Sequence, residues 1–169
     1  VLDGSTIEIT TPTNFGVDDT GHDVKFFGAT AGKYLLWDES ENALRFEDGV
    51  ITKFGTGKDL QIQHDGTNSY IHNYTGDLYI RNGGDDKDVI FQSDDGSGGL
   101  AEYFRLDGGA AIMVVSKEMR FADSVKLKLG NGPDSEFYHD GSNTYITNAT
   151  GNLYIDNGAD DADIIFKCD

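Results

Sequence analysis

Hydrophobic and polar residues alternate along this chain in short segments of about three to five residues, the length of a typical β-strand. In one such segment, Leu60, Ile62 and His64 alternate with two glutamines. A period of two is typical of a half-buried strand and not of a helix. The best helical candidate, residues 115–123, fits a strand followed by a turn equally well. The pattern therefore predicts an all-β protein.

The alternating pattern between residues 59 and 94 recurs between residues 134 and 169, about 75 residues later, and more than half of the paired positions are identical. Turn residues such as His64-Asp65-Gly66 separate the hydrophobic strings within each copy. The strings predict strands at 60–64, 69–73, 78–80 and 89–91, and at 137–139, 144–147, 153–155 and 164–166. Each copy is therefore expected to form a meander of four short antiparallel strands.

Outside the two copies, the same reasoning predicts further strands and an outline of the modules. Strands are expected at 5–10, 34–38, 43–49, 100–107 and 110–116. Residues 119–123 repeat the pattern of residues 44–48, and an acidic loop followed by a strand occurs at 18–26, 85–91 and 160–166. We expect a partial, degraded first unit at 1–43, a first repeat module at 44–118 and a second, truncated module at 119–169. Both ends then look like cuts through a longer polypeptide.

Composition narrows the classes of partner. The formal net charge is −17, and the 13 lysines and arginines are scattered along the chain. Such a charge disfavours nucleic acid and anionic membrane surfaces as partners. The single cysteine, Cys168, excludes a disulfide within the chain and a paired-cysteine metal site. The chain has no apolar run long enough to predict membrane insertion.

A small meander with one hydrophobic face cannot bury enough apolar area to be stable alone. Repeats satisfy such faces by stacking on neighbours or by packing identical chains around an axis. The period of about 75 residues is long compared with the roughly 20–25 residues of a solenoid rung, which favours identical chains. We expect an elongated homotrimeric β-shaft of the β-prism or triple-stranded β-helix type.

Two strings resemble a known family. Residues 57–80 (GKDLQIQHDGTNSYIHNYTGDLYI) and residues 16–48, which include VDDTGHDVKFFGATAGKYLLWDES, are similar to repeats in tail-fibre and structural proteins of marine tailed bacteriophages, cyanophages in particular. The resemblance implies an extracellular, trimeric and elongated part of a virion that contacts other virion proteins. Its expected function is a shaft segment of a tail fibre or appendage involved in host attachment.

Two sets of residues are candidate metal ligands, although no cofactor is required. His64 and His139 occupy the same repeat position, so three symmetry-related imidazoles in a trimer could hold a transition metal. The alternative is that each histidine closes its turn by a hydrogen bond. Carboxylates in the acidic loops could bind calcium, or could bond their own turns as ordinary solvated loops. These carboxylates are Asp85, Asp86, Asp88, Asp160, Asp161 and Asp163.

The alternative function is a carbohydrate-binding module that recognises a host surface glycan. Tyrosines on a β-surface stack on sugars, and the candidates are Tyr70, Tyr79, Tyr145 and Tyr154. Catalysis is not expected. The carboxylates that a glycan hydrolase would need lie mostly in recurring loops, which suggests structure, and no nucleophile motif is present.

Overall fold

The computed structural model describes residues 9–168, and these residues form β-strands and turns but no helix. The predicted all-β class is therefore confirmed. Twelve strands form four separate three-stranded sheets, and every strand pair is antiparallel. In each sheet the strands lie side by side in chain order: β1 (Val24–Phe27), β2 (Tyr34–Asp38) and β3 (Ala43–Phe46); β4 (Thr52–Phe54), β5 (Leu60–His64) and β6 (Ser69–Asn73); β7 (Val89–Asp94), β8 (Leu100–Asp107) and β9 (Ile112–Val115); β10 (Leu127–Leu129), β11 (Ser135–His139) and β12 (Thr144–Asn148).

The chain divides into two compact units, of which the first ends at Ile80 and the second begins at Arg81. The first unit contains the sheets β1–β3 and β4–β6, and the second contains β7–β9 and β10–β12. The predicted modules at 1–43, 44–118 and 119–169 are defined by the sequence repeat, whereas these two units are defined by contacts within the structure. They stay predictions.

The repeated sequence folds in the same way twice. In the sheet β4–β6, Ile62 lies opposite Thr52 on one side and Ile71 on the other. In the sheet β10–β12, Phe137 lies opposite Leu127 and Ile146, which are the corresponding repeat positions. The register is therefore preserved along with the sequence, as expected where alternation decides which face each side chain occupies.

The predicted four-strand meander is wrong, because each copy supplies only two strands to its sheet. A preceding strand, β4 or β10, completes that sheet, while residues 78–80 and 153–155 form no strand. The side-chain amide of Asn73 donates to the carbonyls of Thr75 and Gly76 at 3.0 and 2.8 Å, and Asn148 does the same in the second copy. These bonds hold the chain after β6 and β12 in a loop and not in a hairpin turn.

The other strand predictions differ in outcome. Strands are found within 34–38, 43–49, 100–107 and 110–116, and β7 covers the predicted strand at 89–91 but pairs with β8. Residues 164–166 form no strand. Most of the predicted strand at 5–10 lies outside the described residues.

Almost no hydrophobic side chain is buried within the chain. Among residues 9–168, Leu36 in β2 is the only buried hydrophobic residue, at 3% exposure. The total accessible surface is 14530 Å², whereas a globular chain of this mass, 18.4 kDa, exposes about 8,200 Å². The sheets therefore have pairing and turns of their own, but no core of their own.

The turn after β11 gives a test of the fold. Gly141 has φ of +97°, a region that side chains other than glycine rarely adopt, whereas Gly158 lies outside that region with open space at its Cβ position. We expect Gly141→Ala to destabilise the protein by about 1–2 kcal/mol, and the control Gly158→Ala to change little. Thermal unfolding at fixed protein concentration measures both. Equal melting temperatures would contradict the turn geometry.

Candidate functional site

The most distinctive surface is the side of the two repeated sheets that carries the aliphatic and aromatic strand residues. Cross-strand partners share a face, so Phe54, Ile62 and Ile71 lie together in the first sheet. The second sheet places Leu127, Leu129, Phe137 and Ile146 in the same way. We call these two surfaces the apolar faces. Both are exposed, with Ile71 at 60% and Ile146 at 63%.

In the first sheet, the face opposite to the apolar one is the better covered of the two, although it is polar. In the first sheet, Gln61, Gln63, Tyr70 and His72 are half-buried, whereas Ile62 is exposed. The Tyr70 ring stacks on the His72 ring with centroids 5.1 Å apart, so these rings shield each other. Strands β5 and β6 therefore cover their polar positions more fully than most of their apolar ones, which is the reverse of a globular sheet.

The polar face of the second sheet is only partly covered: Glu136 and Tyr138 are half-buried, whereas Tyr145 and Thr147 are exposed. The rings of Tyr138 and Tyr145 stack across the strands at 4.8 Å. The Lys126 ammonium lies 4.5 Å from the centre of the Tyr138 ring and 2.7 Å from the Glu136 carboxylate. Glu136 and Tyr138 flank Phe137 in β11, so both lie on the face opposite to that of Phe137. Charge and hydrogen bonding are thus directed away from the apolar face.

Each apolar face borders a cleft. The first has a volume of about 610 Å³ and is lined in part by Leu44, Phe46, Val50, Ile62 and Ile71. The second, of about 450 Å³, lies at the corresponding repeat positions and is lined in part by Met119, Phe121, Leu127 and Phe137. Side chains from the segments before β4 and β10 therefore extend the apolar faces.

The two candidate metal-binding histidines close the ends of the repeated hairpins. His64 Nδ1 lies 3.1 Å from Ser69 Oγ, and His139 Nδ1 lies 3.1 Å from Thr144 Oγ1, each with its cross-strand partner. The backbone carbonyls of the same histidines accept bonds from Gly49 and Ser124. This geometry agrees with the alternative that each histidine closes its turn. Metal binding by His64 and His139 stays a prediction, because it needs histidines from several chains to meet.

Next to each histidine, an aspartate organises the turn. The Asp65 carboxylate accepts bonds from the backbone N–H groups of Thr67 and Asn68, both at 2.8 Å. Asp140 accepts the corresponding bonds from Ser142 and Asn143 at 2.8 and 2.7 Å. Bonds from Asn68 and then Thr67 lower the pKa of Asp65, and bonds from Asn143 and then Ser142 lower that of Asp140. Both turns are therefore strengthened by ionised carboxylates.

The acidic loops use at least one of the predicted calcium ligands for structure. One Asp88 oxygen accepts a bond from the Gly108 N–H at 3.0 Å, and the other lies 3.2 Å from Arg105 Nε. Asp86 and Asp161 adopt φ of +54° and +57°, which turns the chain. Asp85, Asp160 and Asp163 lie in the same two loops. Across residues 9–168, no group of three or more His, Cys, Asp or Glu side chains is arranged to hold a metal ion.

The predicted glycan-binding tyrosines fall into two pairs of different surroundings. Tyr70 and Tyr145 lie in β6 and β12 and stack on neighbouring rings. Tyr79 and Tyr154 lie in the loops that follow and are 71% and 80% exposed. The structure does not bring the four together at one described cleft: Tyr70 lines the first cleft, and the other three line neither.

Sequence reasoning missed the strands that complete the apolar faces. Residues 52–54 and 127–129 are only three residues long, and β10 consists of Leu127 and Leu129 around a lysine. That alternation was a signal, since it matches the neighbouring strands in period. In the described part of the chain, the structure also contains no helix with the length and hydropathy needed to cross a membrane.

The two turn aspartates predict a pH dependence of stability. Their pKa values are lower in the folded state, so their contribution is complete above the unfolded value of about 3.9 and is lost as pH falls through the folded values. We expect the double variant Asp65→Asn, Asp140→Asn to be less stable at neutral pH, and the difference from wild type to shrink below about pH 4.

Thermal unfolding across this pH range measures that difference, with the double variant Asp156→Asn, Asp160→Asn, at two exposed sites, as the control for the loss of two charges. A difference that stays constant down to pH 2 would show that the carboxylates do not act through ionisation.

The chain has no match among protein-family models, curated protein sequences or solved structures. Its resemblance to tail-fibre repeats stays a prediction, and the function is inferred below from geometry and chemistry.

Proposed function

We propose that the chain is a structural shaft segment whose copies assemble as a homotrimer by covering one another's apolar faces. The observation that carries this proposal is the exposure of the apolar faces in both repeated sheets. Ile71 and Ile146 are more than half exposed, whereas the neighbouring His72 on the polar face is half-buried. Burying each such aliphatic side chain is worth about 1.5–3 kcal/mol, so exposed rows of them favour association.

The exposed area is large enough to support such an assembly. The chain exposes 14530 Å², roughly 6,000 Å² more than a globular chain of its mass. A standard interface buries about 800 Å² on each partner, and obligate assemblies bury several times more. The surplus therefore suffices for two extensive interfaces per chain, as a closed trimer requires. The number three rests on the resemblance to trimeric fibre proteins.

A mechanical role fits the arrangement of the repeats. The register, the turn aspartates and the cross-strand histidine contacts are preserved between the two copies. Identical local units suit a part that acts by length and stiffness and not by one specialised pocket. In this proposal the protein belongs to a phage tail fibre or virion appendage, lies outside the cell, contacts other virion proteins and contributes to host attachment. It has no enzymatic activity.

A second candidate function, recognition of a host surface glycan, is favoured by one observation. Tyr79 and Tyr154 occupy the same repeat position and expose 71% and 80% of their surface. Exposed tyrosine rings can stack on sugar rings. The partly shielded Tyr70 and Tyr145 are less suited, since neighbouring rings already occupy part of their stacking surface.

The shaft proposal predicts opposite outcomes for two adjacent substitutions in β12. Ile146 lies on the apolar face, and Thr147 points to the other side, opposite Glu136. We expect Ile146→Lys to weaken association by at least about tenfold, because it loses apolar burial and introduces a charge. Thr147→Lys adds the same charge and is expected to leave the trimer intact. Sedimentation velocity over a range of concentrations measures both, and circular dichroism checks that each variant keeps its strands.

Equal effects of the two substitutions would contradict the proposed interface. The glycan alternative is tested separately, by binding of the wild-type chain and of the double variant Tyr79→Ala, Tyr154→Ala to a glycan array. Binding that the double variant loses would support recognition through these tyrosines. Absence of binding by the wild-type chain would remove that candidate.

A further inference from the structure

Three asparagines of the chain are each followed by glycine, in the pairs Asn82-Gly83, Asn131-Gly132 and Asn157-Gly158. In such a pair, the backbone nitrogen of the glycine can attack the side-chain carbonyl carbon of the asparagine, because glycine has no side chain to hinder the approach. The attack expels ammonia and forms a succinimide ring, which water then opens. Whether this reaction occurs depends on how each asparagine side chain is held in the fold.

The asparagines of the two acidic loops are held at both ends of their side-chain amides. Asn82 Nδ2 donates to the Asp88 carbonyl at 2.8 Å, and Asn82 Oδ1 accepts a bond from the Gly84 N–H at 3.0 Å. The Asn157 amide makes the same two bonds, to the carbonyl six residues later at 3.2 Å and from the N–H two residues later at 3.1 Å. Both bonds have to break before either amide can turn towards the glycine nitrogen that follows it.

Asn131 lies in a different setting, the turn between β10 and β11. Its side chain is exposed and makes no hydrogen bond with any of residues 9–168. The nitrogen that would attack it, that of Gly132, donates to Asp134 Oδ2 at 3.3 Å, which is longer than a typical N–H···O bond. Neither of the two reacting groups is therefore firmly held.

We propose that Asn131 is a site of spontaneous deamidation, and that the fold protects Asn82 and Asn157 from the same reaction. The Gly132 nitrogen loses its proton to a base in the solvent and bonds to the side-chain carbon of Asn131, whose nitrogen leaves as ammonia. Water then breaks one of the two carbonyl–nitrogen bonds of the ring. Breakage of the new bond leaves aspartate, and breakage of the original peptide bond leaves isoaspartate, with the backbone running through the side chain.

The modification changes the charge and the length of the β10–β11 turn. Both products add a carboxylate three residues before Asp134, in a chain whose formal net charge is already −17. Isoaspartate also adds one carbon to the backbone of the turn. Leu129 pairs with Ser135 across this turn, and the length of a turn determines the register of its hairpin. Because β10 has only three residues, we expect isoaspartate to weaken its pairing with β11.

Incubation of the full chain in a mildly alkaline buffer, followed by peptide mapping with mass spectrometry over several days, measures each site separately. In the folded chain, we expect Asn131 to react at least about tenfold faster than Asn82 and Asn157, because each of these two has a pair of hydrogen bonds to break. In denaturant, where those bonds are absent, we expect the three rates to become similar.

Two results would overturn the proposal. One is a rate at Asn82 or Asn157 that equals or exceeds the rate at Asn131 in the folded chain. The other is a tenfold difference that persists in denaturant, because the neighbouring sequence and not the fold would then select the site. The proposed assembly of chains plays no part in either result.

The effect on the turn is measured by thermal unfolding before and after incubation, at fixed protein concentration. The matched control is Asn131→Thr, since the first copy has Thr56 at the same turn position. We expect the melting temperature of the wild-type chain to fall during incubation and that of Asn131→Thr to stay constant. Freshly prepared Asn131→Asp carries the new charge without the longer backbone, and is expected to melt close to fresh wild type. An equal fall in Asn131→Thr would contradict the effect of isoaspartate on β10.

Discussion

The alternation of apolar and polar residues in the repeated strands is the constraint on which the rest of the structure depends. It places Ile62 and Ile71 on one side of a small sheet, and Phe137 and Ile146 on the same side of its counterpart. No hydrophobic core covers these apolar faces, since Leu36 is the only buried hydrophobic residue among the described residues. A small sheet whose apolar face stays in contact with water gains little free energy from hydrophobic burial. In the proposed shaft, other copies of the chain cover these faces, and folding and assembly become one process.

Local hydrogen bonds fix the register of the strands in sheets that bury few hydrophobic side chains. A shift by one residue would exchange the apolar and polar faces. The carboxylates of Asp65 and Asp140 hold the two hairpin turns, and the side chains of His64 and His139 contact their cross-strand partners. In the proposed shaft, the recurrence of these contacts lets each copy present the same face to the same kind of neighbour. The histidines that were predicted as metal ligands therefore also stabilise the turns of the chain.

The parts of the fold that sequence predicted well are those decided within a few residues. The alternation in β5 and β6 and the glycines after the turn aspartates determine a hairpin without reference to the rest of the chain. The prediction failed where pairing depends on more distant residues. The hydrophobic string at 78–80 predicts a strand, but the chain forms a loop there, and the Asn73 amide bonds the carbonyls of Thr75 and Gly76 just before it. Residues 164–166 (Ile-Ile-Phe) are similar to the first three residues of β7 (Val-Ile-Phe) yet form no strand. A strand needs a pairing partner, and the local sequence does not show whether one is present. The exposure of the apolar faces could not be predicted from the sequence either. Alternation shows that one face of a strand is apolar, but it does not show whether another part of the chain covers that face.

The mass of the unmodified chain in solution tests the central claim most directly. Sedimentation equilibrium on the purified protein, at several concentrations and with and without EDTA, gives that mass independently of shape. The account predicts three chains of 18.4 kDa, about 55 kDa in total, with tight association from the area available. Loss of this mass in EDTA would assign a metal to the contacts between chains and bring the histidines or the acidic loops back as ligands. A stable, folded monomer at all concentrations would contradict the account, because the apolar faces would then need no cover.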